Sequence, residues 1–325
     1  MDKLSTDETM AVLPLNQWLP GAEKPLIIAG PCSAESHDQI LNTARQLAEQ
    51  GKARIFRAGV WKPRSRPKGF EGKGEEALGW LREVKAETGL LTAIEVATPQ
   101  HVELALKYQI DVLWIGARTS VNPFSVQELA NALKDVDVPV LVKNPVNPDL
   151  QLWIGVMERF YNAGINKLIA IHRGFYTFEK TPFRNAPVWE IPIELKRLFP
   201  NLPLLCDPSH IAGNTNLLHS ISQRAMDLNY DGLMIETHCD PKIALTDAKQ
   251  QITPAELDGL INSLTFRDSN ALDKSFTTLQ YLRDNIDLLD EELLRILAKR
   301  LDTVAEMGKH KKQQNITILQ IERWN

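Results

Sequence analysis

From about residue 25 to about residue 265, short apolar runs alternate with helical patterns, and this alternation dominates the chain. The runs are PLIIAG (25–30), RIFRAG (54–59), LLTAIEVA (90–97), VLWIGA (112–117), PVLVKN (139–144), KLIAIHR (167–173), PLLCDPS (203–209) and GLMIETH (232–238). Each is nearly continuous and often β-branched, as expected of parallel strands covered on both faces. Between them lie amphipathic stretches such as QILNTARQLAEQG and TNLLHSISQRAMDLN, with apolar residues three and four apart. Gly51 and Gly164 fall where helix C-terminal glycines belong. Eight such strands alternating with helices predict an α/β fold, a closed (β/α)8 TIM barrel. The alternative is a doubly wound open sheet, but no glycine-rich phosphate fingerprint follows the first strand.

The flanks read differently. Residues 1–24 are polar and irregular, an N-terminal extension to a barrel of residues 25–265. RDSNALDKS opens a turn-like stretch, so residues 266–274 read as a linker. Residues 275–325 then carry a long helical pattern, with Ile286, Leu289, Leu293, Leu297 and Val304 at three-to-four spacing. A helix cannot bury such a stripe alone and needs the barrel or a partner chain. The plainest expectation is a helical extension serving dimerisation.

Composition narrows the function classes. The hydrophobic share of 43% and charged share of 24% are those of a soluble globular protein. No apolar run is long enough to cross a bilayer, and no basic-then-apolar leader opens the chain. Three cysteines, Cys32, Cys206 and Cys239, do not make a disulfide framework, which points to the cytoplasm. A net charge of -4 argues against nucleic acid as partner, so any anionic ligand must be held by locally placed cations.

Such cations stand where a barrel places its chemistry, at the C-terminal strand ends. In chain order these carry Cys32; Arg57, with Lys62 and Arg64 following; Glu95; Arg118; Lys143; Arg173; His210; and Glu236, with Asp247 beyond it. Arg57, Lys62, Arg64, Arg118, Lys143 and Arg173 would repel one another at one mouth without a counter-charge. A phosphate ester carries roughly 1.5 to 2 negative charges near neutral pH, so two phosphorylated substrates supply the compensation. Arginine adds forked donors suited to phosphate and carboxylate. Taken singly, each of these residues fits a surface ion pair as well.

Cys32, His210, Glu236 and Asp247 form a second set, with one thiol, one imidazole and two carboxylates. This mixture of soft and hard donors suits a divalent transition metal better than magnesium or calcium. Sequence spacing leaves the choice open, because a strand-end cysteine also serves as a small buried hydrophobe and a strand-end histidine as a structural one. Cys206 and Cys239 are assigned to packing.

The motifs GPCSAES (30–36), KPRSRPKGFEG (62–72), IGARTS (115–120), VKNP (142–145), HRGF (172–175), DPSH (207–210), and IETH followed by LTDAKQ resemble, in order, the 3-deoxy-D-arabino-heptulosonate 7-phosphate (DAHP) synthases. The compact type I-beta group is the nearest match. The resemblance implies an aldol-type transferase of the shikimate pathway that joins phosphoenolpyruvate to erythrose 4-phosphate. It further implies a divalent metal on Cys32, His210, Glu236 and Asp247, with Mn2+ expected and Fe2+, Co2+ or Zn2+ as alternatives. Arg57, Lys62, Arg118, Lys143 and Arg173 would bind phosphoenolpyruvate, Arg64 and Ser65 the sugar phosphate, and Lys62, Cys32 and His210 would be catalytic. The sister 3-deoxy-octulosonate 8-phosphate synthases usually read KANR-like where this chain has Lys62-Pro63-Arg64, which favours the four-carbon sugar. Arg66 departs from the small residue common in the family, as a further cation compatible with phosphate.

The tail LRDNIDLLDEELLRILAKRLDTVAEMGKHK resembles helix 1 of the all-helical chorismate mutases. That resemblance implies chorismate or prephenate binding by Arg283, Arg300, Lys311 and Arg323, and a homodimer or higher homo-oligomer with allosteric feedback. Arg300 and Lys311 lie close to three helical turns apart and share a face, whereas Arg283 points about a quarter turn or more away. The acidic residues usual near Gln320 and Arg323-Trp324 are absent or shifted. Because the sequence stops at Asn325, before a second and third helix, a truncated mutase part with little activity of its own is expected. The competing class is a non-catalytic barrel that binds anionic metabolites and assembles through its tail.

Overall fold

The computed structural model describes residues 10–19, 21, 24–62, 69–266 and 272–317, with side chains from residue 280 onward in the last segment. Eight strands form a closed parallel barrel: β1 (Leu26–Gly30), β2 (Ile55–Arg57), β3 (Leu91–Val96), β4 (Val112–Ile115), β5 (Val140–Lys143), β6 (Leu168–His172), β7 (Leu204–Cys206) and β8 (Gly232–Glu236). Each pairs with its sequence neighbour, and β1 closes on β8 through the register Leu26–Gly232 to Gly30–Glu236. The helices are α1 (Leu15–Trp18), α2 (His37–Gln50), α3 (Glu75–Thr88), α4 (Pro99–Lys107), α5 (Pro123–Ala132) and α6 (Leu150–Asn162). They continue as α7 (Glu190–Leu198), α8 (Pro208–Ala212), α9 (Leu218–Asp227), α10 (Pro254–Ser263) and α11 (Leu272–Gln313). The chain divides into two compact units, Met1–Arg267 and Asp268–Asn325.

Strand parity sorts the apolar residues into two cores. Leu26, Ile28, Ile55, Ala93, Val112, Trp114, Leu141, Ile169, Ile171, Leu205 and Met234 fill the barrel. Their neighbours Ile27, Phe56, Ile94, Leu113, Val140, Leu168 and Leu233 face the surrounding helices. Successive side chains on a strand point to opposite faces, so every strand here is apolar on both sides, which is why the runs look continuous in sequence. Each fully buried leucine or isoleucine contributes about 1.5–3 kcal/mol relative to exposure.

Residues 10–19 depart from the irregular reading of the first 24 residues. Leu19 is buried with the barrel-filling residues, Leu15 and Trp18 pack against them, and Met10 and Val12 join the outer core. The bottom of the barrel exposes apolar side chains between strand starts, and this segment shields them from water. The helix boundaries follow local chemistry. Ser36 accepts a hydrogen bond from the Gln39 N–H to begin α2, and Gly51 ends it in the left-handed conformation. Among the described residues of the second unit, α11 is one continuous helix followed by a turn at Asn315. Arg64, Ser65, Arg66 and Arg323 lie outside the described residues.

Candidate active site

The inward-facing parity that packs the barrel also builds its mouth. Two residues beyond Ile55, Ala93, Leu141, Ile171, Leu205 and Met234 stand Arg57, Glu95, Lys143, Arg173, Asp207 and Glu236. The inward positions therefore change from apolar to charged at one level, the C-terminal end. β1 meets that level at Gly30, where a Cβ would collide with the Arg57 carbonyl, so only glycine lets β1 and β2 approach so closely.

A cavity of about 530 Å³ opens there, lined by Lys62, Glu95, Gly116, Arg118, Lys143, Arg173, Arg184, His210 and Asp247 among others. Of the cations named from sequence, Lys62, Arg118, Lys143 and Arg173 reach its wall. Arg57 instead lies buried beneath, its guanidinium carbon 4.9 Å from the centroid of the Trp114 ring. The same indole lies 5.8 Å from Lys143 Nζ and donates its N–H to Glu95 Oε2 at 3.1 Å. The buried Trp114 thus holds cations by its ring face and an acid by its edge. Arg57 Nε and Nη1 are buried without a hydrogen-bond partner, leaving two donors unspent under the cavity.

Burial holds Lys143 below the usual lysine range, although its Nζ lies 2.8 Å from Asp207 Oδ2. Arg173 is pulled down to about 10 by burial, and Arg184 and Arg118 push it the same way against the pull of Asp207. Its Nη1 donates to Asn185 Oδ1 at 2.7 Å, and Asn185 Nδ2 donates to the His210 carbonyl at 2.6 Å. Cations forced together in this manner favour an anion among them.

Beside this ring, Cys32, Glu236 and Asp247 each place one ligating atom within 4.8 Å of the others. His210 lies outside that mutual distance but adjoins the set, with Nε2 3.7 Å from Glu236 Oε1. Its ring is oriented by Asp207, whose carboxylate lies 2.8 Å from Nδ1 and also accepts the His210 backbone N–H to begin α8. The Asp207 carboxyl is held well below the usual range: burial opposes its charge, but His210, Lys143 and Arg57 outweigh it. An ionised Asp207 keeps the proton on Nδ1 and turns the lone pair of Nε2 toward Glu236. Burial, with Lys143, lowers the His210 pKa against the pull of Asp207 and Glu236. Asp207 carried no role from sequence alone, although its inward position two residues after Leu205 was the available signal.

Burial, then Glu236 and Asp247, push the Cys32 thiol up to about 11 against the pull of Lys62 and Arg57. Burial opposes the charge of Glu236, yet His210, Arg57 and Lys62 hold its carboxyl below the ordinary range. Glu236 Oε1 is buried with no hydrogen-bond partner, and Cys32 Sγ lies 3.5 Å from Asp247 Oδ2. A carboxylate oxygen with no hydrogen bond and the Arg57 Nη2 charge 3.3 Å away, together with a thiol and a second carboxylate, forms a donor set that a divalent transition ion satisfies. Lys62 Nζ reaches into this set, 3.0 Å from Cys32 Sγ and 2.9 Å from the Cys32 carbonyl oxygen. Burial disfavours its charge, but Cys32 and Glu236 outweigh that penalty and raise the Lys62 pKa. Arg184, also unassigned from sequence, pairs with Asp247 at 3.0 Å.

Comparison with known proteins agrees with this geometry. The chain is 33% identical over 226 residues to the phospho-2-dehydro-3-deoxyheptonate aldolase of Thermotoga maritima, covering 70% of this chain and 64% of that protein's length. It is 28% identical over 257 residues to a 2-dehydro-3-deoxyphosphooctonate aldolase of Thiobacillus denitrificans, covering 70% of this chain and 84% of the relative. The crystal structure of the Thermotoga maritima DAHP synthase superposes with a TM-score of 0.65 at 32% identity, covering 73% of this chain and 67% of that one. Residues 282–325 match the chorismate mutase type II family. Residues 6–269 match the DAHP synthetase I family along the whole barrel, and the chain belongs to that family.

Proposed function

We propose that the barrel is a DAHP synthase, joining phosphoenolpyruvate and erythrose 4-phosphate into 3-deoxy-D-arabino-heptulosonate 7-phosphate with release of phosphate. The observation that carries this reading is that Lys62, Arg118, Lys143 and Arg173 line one cavity together with Asp247, which joins the buried Cys32 and Glu236 in one cluster. Two mutually repelling phosphate esters need such a concentration of positive charge to be held together.

Arg118, Lys143 and Arg173 take the phosphate and carboxylate of phosphoenolpyruvate, with Arg57 and Lys62 alongside. Arg64 and Ser65 are assigned to the sugar phosphate. Cys32, His210, Glu236 and Asp247 would hold a divalent metal, with Mn2+ preferred over Fe2+, Co2+ or Zn2+. When bound, that ion supplies Lewis-acid polarisation of the aldehyde oxygen or of an activating water. C3 of phosphoenolpyruvate bonds to the aldehyde carbon, and Lys62 Nζ gives a proton to the oxygen that gains the electron pair. Water adds at C2 with loss of a proton, oriented by Glu95, whose Oε2 is already fixed by Trp114. The C2–O bond to phosphate then breaks, leaving the ketone and inorganic phosphate.

The 2-dehydro-3-deoxyphosphooctonate aldolase relatives favour a second reading, with arabinose 5-phosphate as acceptor. Supplying phosphoenolpyruvate, Mn2+ and either aldose phosphate to the full chain separates the two readings. Erythrose 4-phosphate is expected to release phosphate faster, and Cys32→Ala or chelation to abolish the release. Faster turnover of arabinose 5-phosphate would replace the first reading, and no release with either sugar leaves a non-catalytic anion-binding barrel.

For the tail, Arg283, Arg300, Lys311 and Arg323 are assigned to chorismate or prephenate, on the match to the chorismate mutase type II family. Ile286, Leu289, Leu293 and Leu297 are exposed on α11, which favours assembly through a second copy of this helix and feedback by that route. No described helix is long and apolar enough to cross a membrane, and all three cysteines are free, which supports placing the protein in the cytoplasm.

A further inference from the structure

Two adjacent buried amides, Gln250 and Gln251, lie behind the Cys32, Glu236 and Asp247 cluster and face opposite ways from the loop after β8. Gln250 Nε2 donates to Glu236 Oε2 at 2.6 Å, and its Oε1 accepts from Arg184 Nη1 at 2.7 Å. The same Nη1 donates to Asp247 Oδ1 at 3.0 Å, so one guanidinium joins Asp247 to Glu236 through this amide. Gln251 Oε1 accepts the Cys32 backbone N–H at 3.0 Å, and its Nε2 donates to the Thr246 carbonyl at 2.8 Å. All four amide atoms are thus engaged, and each engagement leads to a ligating residue or to the residue beside one.

The partners cannot exchange roles. A backbone N–H and a guanidinium only donate, while a backbone carbonyl and an ionised carboxylate only accept. A side chain with one donor and one acceptor at this length is therefore required twice in succession, and glutamine alone supplies it. Glutamate would set oxygen against oxygen at Thr246 or Glu236; leucine at 250 would leave Glu236 Oε2 buried and unpaired, and leucine at 251 the Cys32 N–H and the Thr246 carbonyl. Further bonds in the same seam link the two loops: Ser33 Oγ lies 2.5 Å from Thr246 Oγ1, and Glu35 accepts the Leu245 N–H at 2.9 and 3.0 Å. Asp247 itself sits in the left-handed region at φ 47°, a conformation its neighbours must hold in place.

We propose that Gln250 and Gln251 are positioning residues that form a two-sided clamp. Gln250 occupies Glu236 Oε2 so that Oε1 alone is presented to an ion, and Gln251 sets the separation of Cys32 from Asp247. The inference rests on the metal reading of the cluster given above, and its test distinguishes the two.

The test is titration of the full chain with Co2+, read by the visible thiolate–cobalt absorption and by calorimetry, beside thermal melting of the metal-free proteins. The wild type is expected to bind with a sulfur-to-metal band that Cys32→Ala removes. Gln250→Leu and Gln251→Leu should weaken binding roughly 10- to 100-fold, as loss of groups that orient metal ligands does elsewhere. Gln251→Leu should also shift or dim the sulfur band. Half-maximal activity would then need more Mn2+, while KM for phosphoenolpyruvate at saturating Mn2+ stays unchanged. If a leucine variant fails to fold, Gln251→Asn serves in its place, since its shorter amide keeps the polarity but cannot span both partners. Folded variants with wild-type affinity and spectrum overturn the clamp while leaving the metal reading intact. A wild type that binds no Co2+ overturns both.

Discussion

Asp207 Oδ2 lies 2.8 Å from His210 Nδ1 and 2.8 Å from Lys143 Nζ, so one buried carboxylate serves both halves of the site. It turns the imidazole toward Glu236 on one side and holds a cavity-wall cation on the other. Asp207→Asn keeps an oxygen to accept the His210 N–H, so α8 should still form. The lost charge frees the histidine tautomer and leaves Lys143 unpaired. Affinity for Mn2+ should fall roughly 10- to 100-fold, measured by titration with the metal. Unchanged affinity would remove Asp207 from the metal-orienting role.

Arg118 stands exposed on the cavity wall, where it and Arg184 add to the burial that pulls Arg173 below its ordinary range. Arg118→Ala should raise KM for phosphoenolpyruvate tenfold or more, about 1.4 kcal/mol, and that for erythrose 4-phosphate far less. Steady-state kinetics with each substrate varied in turn decide it. An equal rise for both would mean that Arg118 serves the general field of the cavity and not one ligand.

Gly116 tests the acid in the ring of cations. A Cβ at this position would overlap the Glu95 carboxylate, which accepts the Trp114 N–H. Because the obstacle is the end of a side chain, Gly116→Ala should displace Glu95 and leave stability nearly intact. Turnover should fall about tenfold, a barrier increase of about 1.4 kcal/mol. Wild-type turnover with an unchanged melting temperature would dissociate Glu95 from the reaction.

His172 supplies a pH dependence of stability. It is fully buried on the outer side of β6, with Nε2 2.6 Å from the Pro187 carbonyl oxygen and Nδ1 3.2 Å from the Tyr230 hydroxyl. Burial, with Arg173 nearby, drops its pKa from 6.5 to about 4 despite the Pro187 bond. Between those values the unfolded chain binds the proton and the folded chain does not. Stability is therefore full above the unfolded value and is lost as pH falls toward the folded one, by about 3 kcal/mol from this group. His172→Gln keeps a donor for Pro187 and removes the titration. Its urea-unfolding free energy should decline less steeply between pH 6.5 and 4. A parallel decline in both proteins would exclude His172 as a source.

The sequence by itself determined the barrel. Strands buried on two faces must be apolar at every position, and helices covering them must be apolar at every third or fourth, so the two periods are legible without coordinates. It also marked the charged strand ends, because a side chain that follows an apolar run by one inward step can point only into the mouth. What the tertiary structure decided is which of those ends meet. Arg57 is buried against Trp114 and off the cavity wall, and His210 reached the cluster through Glu236, its ring turned by Asp207. Gln251 acquired Cys32 as a partner across the closure of β8 on β1, and Arg184, from the segment after β6, reached over to Asp247 and Gln250. Hydrogen bonds between loops so far apart in sequence have no period to betray them. They exist only once the barrel closes and leaves buried donors and acceptors that must be paired.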